Sequence, residues 1–367
     1  MKQGRTLQDL AAELERQAEV RKDYIAEQGE LKAVVVGSGI GLEGLNGHEV
    51  AIMPHAHAQI ATHLEIPQRY YDRMLVQEPE LLTRNINTWL QKAPEEKRMV
   101  RTLDGSARAF LSSRYRPLDN FELAHAVLPT LIEKGVEISS CELTETRMYI
   151  KGILPRLSDE LPEGLVYGQG HAAIGDYAGK KGRLVAAIVI SNSEVGAGTL
   201  RVEPSVFTTW CTNLAVMVAA AMKKYHVGRS FDTTEDLEAF RDETREADDK
   251  AFFLKVRDVT VAAFAEEKFK AAIEQIRGAG EKKITSNNLP KVVEVVTKRL
   301  GLPEGFQTGI LTFLARGGDL SAWGLSSAIT ESANKVDDYE LATTLERAGG
   351  QVLALGAQDW KVISEAA

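Results

Sequence analysis

The sequence predicts an α+β fold, an antiparallel sheet core packed on helices with a helical C-terminal region. Three observations carry this. Across residues 99–203 the apolar residues recur largely with a period of two, the alternation of half-buried strands. Asp104-Gly105 joins two such runs and is a strong hairpin signal. Beyond Asp232 the apolar spacing becomes helical and stays so. The 367 residues divide accordingly. Residues 1–98 form a segment of helices and short strands, 99–230 an α+β core with a basic sheet face, and 231–367 a helical region.

The elements follow in order. Residues 6–27 are polar with Leu7, Leu10, Ala11 and Leu14 at helical spacing, an amphipathic helix. Residues 31–36 and 48–53 read as short strands, and the glycine-rich stretch 37–44 between them as a turn. Residues 55–64, 68–75 and 81–90 read as helices, with Pro67 suited to a first turn. Two hairpin strands are expected at 99–103 and 106–114, then a helix at 121–134 ended by Gly135. Strands follow at 136–143, 147–153, 170–176, 184–192 and 199–203. Residues 205–225 read as a long apolar helix. A charged helical segment at 234–275 is broken by Gly278-Ala-Gly280, and further helices are expected at 289–300, 306–314, 321–333 and 338–347.

Hydrophobic residues make up 44% and charged residues 26% of the chain, an ordinary globular balance. The net charge of −8 argues against a protein coated in DNA but not against a local basic groove. Residues 92–229 hold 18 Lys and Arg against 15 Asp and Glu, a net +3, while the rest of the chain carries −11. The middle is where an anionic partner is expected, because phosphate contacts depend on local charge. Cys141 and Cys211 are too few for a disulfide scaffold and fit a reducing cytoplasm. No apolar stretch approaches the ~20 residues of a spanning helix, so no membrane partner is expected.

The pattern that carries chemistry lies on strand faces. In an extended chain Arg108, Phe110, Ser112, Arg114 and Arg116 share one face. Arg147, Tyr149 and Lys151 share another, and Thr199, Arg201 and Glu203 a third. If these strands adjoin in one sheet, one side carries Arg108, Phe110, Arg114, Arg116, Arg147, Tyr149, Lys151 and Arg201. Leu111, Met148, Ile150, Leu200 and Val202 then face the helices. Single-strand binders combine cations that track the backbone with rings that stack on bases, each worth roughly 1–3 kcal/mol. Lys180-Lys181-Gly182-Arg183 adds a basic loop to close over phosphates. The competing reading is a solvated sheet face that uses Lys and Arg against edge aggregation.

Other motifs carry less. Gly39-Ile-Gly41-Leu-Glu-Gly44 fits GxGxxG after a strand, but Leu45-Asn46-Gly47 continues the loop where a helix should start. His55, His57 and His63 lack metal spacing and a nearby cysteine, and read as surface histidines. Cys211 needs a base that only folding would supply, from His171 or His226, and reads as a buried thiol. Asn192, Ser193 and Glu194 with Asp119 and Asn120 offer one thin candidate for a divalent cation. No Walker motif, HExxH or paired carboxylates are present.

At three segments the chain resembles the phage/plasmid-like protein family defined by a domain of unknown function. They are Leu111-Ser-Ser-Arg-Tyr-Arg-Pro-Leu-Asp-Asn120, Ile190-Ser-Asn-Ser-Glu-Val-Gly-Ala-Gly-Thr-Leu-Arg-Val202 continuing to Trp210-Cys-Thr-Asn213, and Leu320-Ser-Ala-Trp-Gly-Leu-Ser-Ser-Ala-Ile-Thr330. Residues 55–71, with Ile66-Pro67, also fit. The resemblance implies a mobile genetic element and no established activity. More remotely, the strands, helix and basic hairpin are similar to single-strand annealing proteins of the RecT/Redβ type, which form rings or filaments on DNA and need no cofactor.

The expectation is a cytoplasmic, homo-oligomeric mobile-element protein that binds single-stranded DNA and promotes annealing in recombination. It needs no catalytic residue, metal or cofactor, and reads as a binding protein rather than an enzyme. The alternatives are a metal-dependent nuclease or hydrolase at Glu194, and a host-defence-interaction protein working through its acidic C-terminal half.

Overall fold

The computed structural model describes residues 1–37, 39–162, 165, 182–209, 213–217, 242–316 and 319–366. The α+β class holds. After α1 (Leu7–Val20), six strands build a first sheet: β1 (Lys22–Glu27), β2 (Lys32–Val36), β3 (Gly39–Leu45), β4 (His48–Ile52), β5 (Lys97–Leu103) and β6 (Ser106–Ser112). Their order is β1-β5-β6-β4-β3-β2, with β4 and β6 parallel and the other pairs antiparallel. Asp104 and Gly105 turn the β5–β6 hairpin with φ of +50° and +73°, the mirror-image turn that matches strand twist. Helices α2 (Pro54–His63), α3 (Gln68–Gln77) and α4 (Pro79–Leu90) connect β4 to β5 and cover one face. Ile60, Tyr71, Leu82, Ile86, Val100 and Phe110 form that core.

The second sheet is an antiparallel meander entered through α5 (Asn120–Glu133). Its strands are β7 (Glu137–Leu143), β8 (Met148–Glu160), β9 (Arg183–Asn192), β10 (Arg201–Thr208) and β11 (Leu214–Val216). Both faces are covered. Met148, Ile150, Ile188 and Ile190 join one cluster with α5 and the C-terminal helices; Ile153, Val189, Phe207 and Val216 form another. The C-terminal helices are α6 (Asp242–Ala263), α7 (Glu266–Glu281), α8 (Leu289–Arg299), α9 (Gln307–Ala315), α10 (Ala322–Ala333), α11 (Tyr339–Leu353) and α12 (Ala357–Ser364). Ser321 and Asp338 cap α10 and α11 through their side chains, satisfying helix N–H groups that have no partner in the first turn.

Several expectations change. Residues 37–44 are not a turn throughout: β3 runs from Gly39, with Ile40, Leu42 and Leu45 buried. The hairpin of β5 and β6 pairs with the N-terminal strands, so the sheet boundary falls after Ser112 rather than at residue 98. The amphipathic helix stops at Val20, and β1 follows. Residues 205–208 continue β10 and 214–216 form β11, where an apolar helix was expected. A strand buried on both faces loses its alternation and imitates a buried helix. Residues 210–212 and 218–225 of that helix and the strand expected at 170–176 lie outside the described residues. No helix among the described residues is long and apolar enough to cross a membrane.

Candidate anion-binding site

Strand pairing brings part of the expected basic face together. Tyr149, Ser191 and Arg201 form one cross-strand row on β8, β9 and β10; Lys151, Val189 and Glu203 form the next. This face is not open, because α11 lies against it. Gly350 allows the close approach: a Cβ there would lie 1.6 Å from the carbonyl oxygen of Val216. Tyr339, Glu340, Glu346 and Arg347 of α11 therefore meet the sheet. Lys151 and Glu346 are each 0% exposed, with Nζ 2.6 Å from Oε2. The same ammonium lies 4.4 Å from the centroid of the Tyr339 ring, which packs 5.3 Å from the ring of Tyr149. Burial pulls the Lys151 pKa down from its ordinary value against the attraction of Glu346.

At the margin of α11 the face opens into a cavity of about 290 Å³, lined by Arg147, Tyr149, Arg201, Glu340 and Arg347 among others. The three guanidinium groups are unequally satisfied. Arg347 donates from Nη2 to Glu203 Oε2 at 2.6 Å and to Ser191 Oγ at 3.2 Å. Burial opposes its charge, but the Glu203 bonds outweigh burial and its pKa lies above the ordinary value. Arg201 comes no closer than 3.9 Å to Glu203, and its buried Nε has no hydrogen-bond partner among the described residues. Burial first, then the positive charges of Arg347 and Arg147, pull its pKa below the ordinary value. Arg147 donates from Nη2 to the carbonyl of Ala197, but its buried Nη1 has no partner among the described residues. Gly198, at φ +147°, makes room for it; a Cβ would lie 1.8 Å from Arg147 Nη2. Opposing carboxylates are Glu203 and Glu340, and Glu340 also accepts from the Thr144 hydroxyl at 2.7 Å.

The other expected site residues go elsewhere. Arg108 and Phe110 belong to the first sheet and are buried, so the single basic side assembled from all these strands does not form. The β5–β6 register slips beside Arg108: Arg101 faces Ala109 and Thr102 faces Ala107. The slip breaks the alternation that placed Arg108 and Phe110 on one face. Phe110 packs in the helix-covered core beneath the guanidinium of Arg98, and Arg108 pairs with Glu194. Arg114 lies exposed in the turn after β6, and Arg116 pairs with Asp248 and Asp249 of α6. Arg183 is exposed at the start of β9 and donates to Ser158 Oγ at 2.7 Å. Lys151 is sealed under α11, unavailable to a ligand without displacing Glu346. Lys180 and Lys181, like Cys211, lie outside the described residues.

Glu194, Asp119, Asn120, Ser193 and Asn192 do converge, but around arginines. Arg101 donates to Asp23 Oδ1, the Glu194 carbonyl and Asp119 Oδ1 at 2.8, 2.9 and 2.8 Å. Glu194 accepts from Arg108 and from the backbone N–H of Asn120, at the start of α5. Asn192 donates to the Leu118 carbonyl at 2.7 Å and to Asn120 Oδ1 at 2.9 Å. Guanidinium groups and a helix N-terminus fill the role a cation would have. His57 is not a surface group: it is buried against the Tyr71 hydroxyl at 2.7 Å, and burial lowers its pKa to about 4, while His55 and His63 are half-buried. Burial lifts the Cys141 thiol to about 12.

Sequence reasoning found Arg147, Tyr149 and Arg201 and missed Arg347. Residue 347 ends the helix expected at 338–347, where a basic residue is unremarkable because it suits the helix dipole. Its signal was the pairing of Glu346 and Arg347, two opposite charges on a helix otherwise rich in small apolar residues. Comparison with family models, curated proteins and solved structures finds no match for the chain.

Proposed function

We propose that this protein binds single-stranded DNA, with a backbone phosphate held by Arg147, Arg201 and Arg347. One observation carries the reading: Arg147 and Arg201 line a polar cavity, and each keeps a buried N–H group, Nη1 and Nε, without an acceptor among the described residues. A buried donor left unpaired costs roughly 1–3 kcal/mol, and a phosphate oxygen would recover it. Arginine suits the task because its planar fork matches phosphate geometry. The Tyr149 ring lines the same cavity, although its hydroxyl is held neutral by burial, with a pKa of about 12. The protein works in this reading as a cytoplasmic homo-oligomer that promotes annealing, in keeping with its resemblance to phage and plasmid proteins.

The test is fluorescence anisotropy with a labelled oligothymidylate over a salt series. Binding should weaken as salt rises, and Arg147→Gln and Arg201→Gln should each reduce the slope by about 0.7, the single-strand value for one lost phosphate contact. Absence of binding at low salt rejects the proposal. Unchanged binding in both variants moves the site elsewhere.

A further inference from the structure

A second cavity, of about 500 Å³, lies on the first sheet's helical layer, between the α2–α3 corner, α4 and the end of β1. Three features mark it as built for a ligand. Gln28, just after β1, is 2% exposed. Its Oε1 lies 3.0 Å from His63 Nε2, and its Nε2 is buried with no hydrogen-bond partner among the described residues. Burial first, then Arg98, lower the pKa of His63, and the atom that faces its Nε2 is an oxygen. Its Nε2–H must then donate to Oε1, which leaves the amide N–H₂ as the free donor. The rim carries two exposed rings, Trp89 at 49% and Tyr70 at 48%. Asn85 lies one turn before Trp89 on α4 and lines the same cavity. Glu65, at the α2–α3 corner, holds a φ of +54°, a conformation uncommon for a residue with a side chain.

The lining includes Glu65 and Glu96 and no cation among the described residues, so it disfavours a phosphate. Aromatic faces with a buried amide donor suit a flat, neutral ring that bears a carbonyl. We infer that this cavity is a nucleobase site, in which Gln28 Nε2 donates to a ring carbonyl while Trp89 and Tyr70 offer their faces. The inference is independent of the arginine cavity. Two sources share this chemistry, a free nucleoside and a strand with one base turned out of its stack.

Calorimetry with thymidine on the full chain tests it. Thymidine should bind saturably, and deoxyadenosine, whose ring has no carbonyl, at least about tenfold more weakly. Gln28→Leu should lower thymidine affinity about tenfold and erase the preference. Trp89→Ala, at a half-exposed position that tolerates truncation, should weaken both nucleosides. Competition by oligothymidylate assigns the base to a strand; failure to compete assigns it to a free nucleoside. Either result upholds the site. No thymidine binding at millimolar concentration, equal binding of the two nucleosides, or unchanged affinity in Gln28→Leu and Trp89→Ala overturns it.

Discussion

Arginines gather in two places in this molecule, and the two differ in how their charge is answered. Around Arg101 and Arg108, each cation meets a carboxylate or carbonyl: Asp23, Asp119 and Glu194 close the group, and the N-terminus of α5 completes it. Around Arg147, Arg201 and Arg347, one cation is held by Glu203, and the other two keep buried N–H groups without acceptors among the described residues. The first group is an internal joint between two sheets. The second has the unbalanced charge of a site that awaits an anion. What separates the two groups is the nearness of carboxylates: Arg101 and Arg108 each bond one, while Arg147 donates to a carbonyl and Arg201 stays 3.9 Å from Glu203. An unpartnered buried N–H does not separate them by itself, because Arg108 Nε also has no partner among the described residues.

The largest effect should come from breaking the balanced group. Arg101→Ala removes the partner of two carboxylates and a carbonyl at a position 1% exposed. Opening a buried ion pair from one side costs about 3–5 kcal/mol, because the remaining charge stays buried. A urea denaturation midpoint that moves by less than about 1 kcal/mol equivalent would show that the joint is not balanced as described.

Next in size is the sealed pair beneath α11. Lys151→Met should cost about 3 kcal/mol, since Glu346 is 0% exposed and loses its cation. The double variant Lys151→Met with Glu346→Leu should recover most of that loss, as apolar groups of similar volume replace a buried pair at little cost. If the double variant is no better than the single one, the pair contributes more than mutual neutralisation. Oligonucleotide binding should survive in a folded double variant, because neither group lines the arginine cavity.

Much of this contrast was legible in the sequence at the level of faces. Period two correctly put Tyr149 and Lys151 on one side of β8, with Arg147 just before the strand, and Arg201 and Glu203 on one side of β10. It could not show that α11 covers that side, since the covering helix lies some 200 residues away and its glycine pair reads as a weak point. Nor could it place Arg108 and Arg147 on different sheets, because pairing partners are set by topology and not by local alternation. The register slip beside Arg108 defeated the alternation directly. Glu194 and Asp119 were legible as a polar cluster, but its arginine counter-charges come from β1's neighbour β5 and from β6, outside any local motif.

The smallest effect on stability, and the most informative one, is expected at Arg201. Its side chain is about one-third exposed and, among the described residues, its ion-pair contact is the long one to Glu203, while Arg347 and Arg147 repel it. Arg201→Gln should therefore change stability by no more than about 0.5 kcal/mol, in contrast to Arg101→Ala. The same change should cost about tenfold in oligonucleotide affinity, the equivalent of one charge-assisted hydrogen bond. Sulfate provides an independent readout. It raises the melting temperature of most proteins by exclusion from their surfaces, and a bound anion adds a further increment that saturates with concentration. The native chain should show that saturating increment at millimolar sulfate and Arg201→Gln should lose it, keeping only the linear rise. A variant that loses stability like Arg101→Ala, yet keeps the saturating increment, would make Arg201 a second structural arginine and erase the distinction between the two groups.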